Sequence, residues 1–231
     1  MKTIGLIGGM SWESSAEYYR IINEAVKARL GGFHSAKSVL ISVDFAEIEI
    51  LQQQGRWQAA AELLAGAARS LEVAGADFVV LCTNTMHKLA EDIEASLHIP
   101  FLHIADATAE VIRATGVQKI GLLGTRFTME ERFYKGRLAQ KYGLEVVTPE
   151  AADREIVHRV IYDELVKGVI RPGSKAQYLA IIERLVGQGA EGVILGCTEI
   201  GLLVQDGDCR VPLYDTTRIH ALAAVDLALA G

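Results

Sequence analysis

At 231 residues the chain has room for one large or two small domains with a substantial core. Half of its residues are hydrophobic and 23% are charged, and the net charge of -6 with no basic run argues against nucleic acid as a partner. The longest apolar stretches are strand-sized, and Met1-Lys2-Thr3-Ile4-Gly5 enters structure without a signal-peptide apolar core, so no membrane association and a cytoplasmic location are expected.

Strand and helix patterns alternate from the first residues. Ile4 to Ile7 reads as a strand, Ser11 to Arg29 as a helix, and Ser38 to Val43 as the next strand. The stretch Leu51-Gln52-Gln53-Gln54-Gly55-Arg56 reads as a loop, followed by a helix over 57–73, a buried strand over 78–81 and a helix across 87–96. Phe101-Leu102 is a short strand, and a helix begins near Asp106. A strand over 119–123, a helix near 129–142 and a strand over 145–147 come next. Helices over 156–167 and 175–188, strands over 193–195 and 212–214, and a helix over 217–230 complete the chain. Such alternation predicts an α/β fold with parallel sheets covered by helices on both faces.

The chain also repeats itself. Gly75-Ala76-Asp77-Phe78-Val79-Val80-Leu81-Cys82-Thr83 matches Gly189-Ala190-Glu191-Gly192-Val193-Ile194-Leu195-Gly196-Cys197 at an offset of 114. Ile4-Gly5-Leu6-Ile7-Gly8 matches Ile120 to Gly124 at 116, and Ile99-Pro100-Phe101-Leu102 matches Val211 to Tyr214 at 112. Three matches in the same order predict two pseudo-symmetric α/β domains, 1–102 with 215–231 and 103–214. Ligands of open parallel sheets bind beyond the carboxyl ends of the strands. The expected site is therefore an interdomain cleft lined by four turns: Gly8-Gly9-Met10, Thr83-Asn84-Thr85, Gly124-Thr125 and Cys197-Thr198-Glu199.

Cysteine usage is sparse: Cys82, Cys197 and Cys209 form no disulfide framework, and no metal-ligand spacing is present. Gly8-Gly9 lacks both the dinucleotide fingerprint and a phosphate-loop lysine. It is expected to be a tight turn whose following helix opens with a small anion site. At the offset of 114, Thr83 corresponds to Cys197 and Cys82 to Gly196. Cys197 is expected at a helix N-terminus that favours its thiolate. Cys82, one register earlier, is expected to pack in the core. Thr83, Thr85 and Thr198 are also common N-caps. Their occurrence in matched turns favours ligand contact instead. His87 is expected either to orient a neighbour or to line the wall.

Gly8-Gly9-Met10, Thr83-Asn84-Thr85-Met86-His87 and Gly196-Cys197-Thr198-Glu199 resemble the motifs of the aspartate/glutamate racemase family, the last its aspartate racemase branch. The resemblance covers essentially the whole chain. It implies cofactor-independent racemisation of aspartate, with glutamate or other amino acids as alternatives, by a homodimeric enzyme. It also implies two acid/base groups on opposite faces of the substrate Cα. One is Cys197, while the other falls on Thr83, where the family carries a cysteine. This departure resembles a subgroup with threonine there that prefers L substrates. Asn84, Thr85 and Thr198 are then expected at the α-carboxylate and ammonium, with Met10, Thr125 and Glu199 in the same turns. Gln52, with Arg56 in reserve, or Lys167 is expected at the distal group; Lys167 reads equally well as an exposed helix-terminal lysine. Two other functions fit the same residues: a cofactor-free decarboxylase or isomerase of a dicarboxylate, and an amino-acid-binding protein.

Overall fold

The structure is a computed structural model that describes residues 1–230. It divides into two compact units, residues 1–103 with the chain from His220 onward, and Ile104–Ile219. Each unit is built on a four-stranded parallel sheet.

In the first unit β1 (Ile4–Gly8) lies between β2 (Ser38–Ser42) and β3 (Phe78–Leu81), and β4 (Phe101–Leu102) follows β3, giving the order β2-β1-β3-β4. Every residue of β1 and β3 is buried, as central parallel strands must be when both faces carry helices. One face packs Ile7, Val79 and Leu81 against α2 (Phe45–Gln53), α3 (Trp57–Val73) and α4 (Ala90–Ala95). The other packs Ile4, Leu6, Phe78, Val80 and Cys82 against α1 (Trp12–Leu30) and the later part of α11 (Thr216–Leu229).

The second unit repeats this order. β5 (Lys119–Gly124) lies between β6 (Glu145–Val147) and β7 (Gly192–Gly196), with β8 (Leu213–Asp215) beyond β7. Leu123, Val193, Leu195 and Cys197 pack against α8 (Ala151–Asp163), α9 (Pro172–Gly187) and α10 (Ile200–Leu203). Ile120, Leu122, Ile194 and Tyr214 pack against α5 (Ile104–Ala114) and α7 (Arg132–Tyr142). Among the described residues no helix is long and apolar enough to cross a membrane.

Strand register accounts for the drifting repeat. Ile4 pairs with Phe78 as Ile120 pairs with Gly192, and Val79 pairs with Phe101 as Val193 pairs with Leu213. The three sequence offsets of 116, 114 and 112 are thus the same ladder positions in two sheets.

Several helices differ from expectation. Of the segment read as a loop, residues 51–53 are the last turn of α2, which is capped where the Asp44 carboxylate accepts from the Ala46 N–H at 3.0 Å, and residues 54–56 connect it to α3. The helix across 87–96 is a 3-10 turn (Thr85–Leu89) running into α4. The helix near 129–142 is two, α6 (Arg126–Glu130) and α7, because Glu131 takes an extended conformation between them (ψ 162°). The helix over 156–167 begins earlier, as α8, and ends in a separate 3-10 turn (Leu165–Lys167). The helix expected to open after Cys197 is α10, a single turn.

Candidate active site

In both units the side chains of one strand alternate between the two faces of the sheet. Val79 and Leu81 share a face, and Thr83 is the next residue on that register; Val193, Leu195 and Cys197 do the same in the second unit. Thr83 and Cys197 therefore occupy equivalent positions just past the ends of β3 and β7. They are 7% and 9% exposed. Cys82 points to the other face and is wholly buried beside Tyr18 and Val80, where burial pushes its thiol far above the ordinary range. It packs, as its register predicts. The corresponding Gly196 admits no side chain: a Cβ there would lie 2.7 Å from the Leu123 carbonyl oxygen.

Cys197 sits in a different electrostatic setting from the expected one. α10 is only four residues long, and its N-cap, Glu199, makes no side-chain capping bond. Instead the Cys197 thiol donates to Glu199 Oε2 at 3.0 Å, and the Thr198 hydroxyl donates to the same oxygen at 2.7 Å. Glu199 is 3% exposed, so both bonds compensate a buried carboxylate. Burial first, and then the negative charge of Glu199, raise the thiol pKa well above its usual value. The resting group is a thiol paired with a proton acceptor; the thiolate favoured by a helix dipole is not what the turn builds. Thr125 caps α6 through its hydroxyl, which accepts from the Thr128 N–H at 3.4 Å. Gly124 pairs with Gly196, so Thr125 and Cys197 emerge side by side from adjacent strands. Lys167 is exposed at the end of its 3-10 turn, and Leu165 of that turn packs in the cluster that holds Cys197.

In the first unit the chain turns sharply at Thr83, whose N–H donates to Leu81 O at 2.9 Å. Asn84 and Thr85 follow, 2% and 7% exposed. Gln52, near the end of α2, donates from Nε2 to the Met86 sulfur at 2.9 Å, which ties α2 to the turn carrying Thr83, Asn84 and Thr85. Met10 joins the same apolar cluster as Met86, while Arg56 is exposed at the start of α3. The anion site expected at the start of α1 is largely occupied by the protein itself. Ser15 Oγ accepts the Gly9 N–H at 2.8 Å and donates to Ser11 O at 3.0 Å, and Ser11 Oγ caps Ser14 N.

Three buried histidines, of which His87 touches Thr83, were not singled out as a group by the sequence. The His87 ring lies 4.6 Å from that of His103 and 5.8 Å from that of His220. His87 Nδ1 donates to Thr83 O at 2.7 Å, since a carbonyl can only accept. His220 Nε2 likewise donates to Leu102 O at 2.9 Å, which leaves Nδ1 to accept from the Tyr18 hydroxyl at 2.9 Å. Burial lowers the His220 pKa to about 4, so it is neutral. No group of three His, Cys, Asp or Glu side chains that could hold a metal ion occurs among the described residues.

Known proteins share this two-sheet fold. The Asp/Glu/hydantoin racemase family model matches residues 7–224. A candidate Asp/Glu racemase from Yersinia pestis is 60% identical, with a TM-score of 0.94 and full coverage of both chains. An aspartate racemase homologue from Pyrococcus horikoshii is 35% identical, with a TM-score of 0.86 and full coverage of both chains. A broad specificity amino-acid racemase from Bacillus subtilis is 26% identical over 163 residues, spanning 69% of this chain and 68% of the relative. With the family model matched over residues 7–224 and a relative 60% identical over its full length, the chain belongs to the Asp/Glu/hydantoin racemase family.

Proposed function

We propose that this protein is a cofactor-independent amino-acid racemase acting on aspartate, with Cys197 and Thr83 serving opposite faces of the substrate Cα and L substrate preferred. The observation that carries the proposal is the equivalence of Thr83 and Cys197 by strand register, together with the bond from Cys197 to Glu199, whose matching position in the Thr83 turn is Thr85. Inversion by proton transfer needs an acid and a base on opposite faces. Cys197 passes its proton to Glu199 Oε2, and the sulfur then takes the α-proton of the L enantiomer. The planar carbanion is reprotonated from the other face by the Thr83 hydroxyl; water reprotonates the resulting alkoxide, and the hydroxide so formed takes the proton held by Glu199, which returns to its carboxylate. A hydroxyl is a far weaker acid than a thiol, so the two directions differ in rate.

Asn84, Thr85 and Thr198 take the α-carboxylate and ammonium, and Gln52 or Lys167 the distal carboxylate. Met10 and Thr125 complete the walls. The enzyme works in the cytoplasm as a homodimer. Relatives that bear the names Asp/Glu racemase, aspartate racemase homologue and broad specificity racemase support aspartate first and other amino acids second.

Incubation of each enantiomer of aspartate, glutamate and a small amino-acid panel in D2O tests the proposal. Proton NMR and chiral chromatography are expected to report α-deuteration with inversion. Release of carbon dioxide from a malonate-type diacid without any amino-acid exchange would replace racemisation by decarboxylation. Binding without exchange would make the protein a receptor.

A further inference from the structure

Within the turn that follows β3, Thr83 is held at both ends of its own peptide units. Its N–H donates to Leu81 O, and its carbonyl accepts from His87 Nδ1 at 2.7 Å. His87 is 2% exposed and is itself packed against Phe101 at 5.6 Å and His103 at 4.6 Å between ring centroids. Behind it His220 is pinned by Leu102 O on one nitrogen and Tyr18 on the other. The two histidines thus cap carbonyls at the carboxyl ends of two adjacent strands, where the sheet ladder no longer supplies N–H donors.

The duplicated unit offers an internal control. At the offset of 114, the position of His87 is Gly201, and the Cys197 carbonyl accepts a backbone N–H from Ile200 instead. The fold therefore closes this turn without a histidine. Only the copy that presents threonine carries one. A thiol is a large, polarizable acid/base that tolerates some misplacement. A hydroxyl acting as proton donor works only within a short, directed hydrogen bond. Fixing the Thr83 peptide fixes where its Cβ, and hence its hydroxyl, can point.

We infer that His87 is a positioning residue for the Thr83 face of the reaction, acting through the bond from Nδ1 to the Thr83 carbonyl. The inference rests on the proposed role of Thr83. It assigns His87 no proton transfer to substrate.

The test compares α-proton exchange from D- and L-aspartate in D2O for wild type, Thr83→Ala, His87→Leu and His87→Asn. Leucine keeps the volume and removes the donor, and the asparagine amide keeps a donor near the place of Nδ1. We expect His87→Leu to slow exchange from the D enantiomer by about ten- to hundredfold while exchange from the L enantiomer stays within about twofold. His87→Asn is expected to restore most of the loss. A parallel loss on both enantiomers in His87→Leu would mark a general structural role and overturn the inference. If His87→Leu does not fold, the asparagine variant decides: a wild-type D-to-L ratio supports the latch and an altered ratio removes it. Thr83→Ala separates the two levels. If it leaves D-substrate exchange intact, the role proposed for Thr83 fails; if it abolishes that exchange while His87→Leu does not, only the inference about His87 fails.

Discussion

Cys197 Sγ lies 3.0 Å from Glu199 Oε2, in a turn where the carboxylate also accepts from the Thr198 hydroxyl. In the proposed reaction the pair would let a buried thiol keep its proton at rest and hand it over locally when the sulfur acts as a base. A carboxylate so close to sulfur also opposes a second negative charge, which is one cause of the raised thiol pKa.

Glu199→Gln separates these two effects. Removing the charge is expected to lower the thiol pKa, read from the pH dependence of Cys197 alkylation by mass spectrometry. Exchange from L substrate should nevertheless fall by about a hundredfold, because the proton acceptor is gone. A variant that exchanges as fast as wild type would show that Glu199 takes no part in the transfer.

Thr83→Cys places a thiol on both faces. Turnover of the D enantiomer is expected to rise by about tenfold or more, so that the two directions approach one another. Because the enantiomers are equal in energy, kcat/KM for inversion is equal in the two directions, so the ratio of α-deuterium exchange rates from the D and L enantiomers in D2O reads the effect. An unchanged ratio would mean that substrate handedness is set elsewhere.

His220 predicts a pH dependence of stability. An unfolded histidine titrates near 6.5, whereas His220 in the folded protein titrates at about 4. Above pH 6.5 neither state holds the proton. Between 6.5 and 4 only the unfolded chain binds it, so stability falls as pH falls through that window, by about 3 kcal/mol at most. Urea unfolding at pH 7 and pH 4.5 should show the loss in wild type and a smaller one in His220→Gln, which retains a donor for Leu102 O. Equal losses in both proteins would clear His220.

Gly9 is required where it stands. Its φ is +97°, and a Cβ would lie 2.1 Å from the Val43 carbonyl oxygen. Gly9→Ala should cost about 3 kcal/mol or more. Gly66 in α3 is the control: the nearest atom to a Cβ there is 3.9 Å away, so Gly66→Ala should gain about 0.5–1 kcal/mol. Thermal denaturation of the two variants checks both signs, and comparable melting temperatures would refute the steric account.

Much of the frame can be read from residue order alone. Central parallel strands are continuous apolar runs, so Ile4 to Ile7 and Phe78 to Leu81 announce themselves, and the repeat fixes their partners. α2 is harder to see because Gln52, a polar residue, occupies a buried position one turn after Ile48 and breaks the apolar period. α10 is too short to show any period. The matched positions of Thr83 and Cys197 follow from the two-residue alternation of strands. The proton partner of Cys197 does not, because only the conformation of the turn decides whether Glu199 faces sulfur or solvent. The histidine cluster is equally hidden: His220 reaches Leu102, 118 positions earlier, only because α11 packs back on the first sheet.

The central claim is that Cys197 takes the α-proton of the L enantiomer. Proton NMR of L-aspartate in D2O measures this directly when wild type and Cys197→Ala are compared at equal concentration, with circular dichroism confirming that both are folded. Wild type is expected to deuterate Cα and accumulate the D enantiomer, while Cys197→Ala does neither. Deuteration by the folded Cys197→Ala protein at the wild-type rate would contradict the assignment.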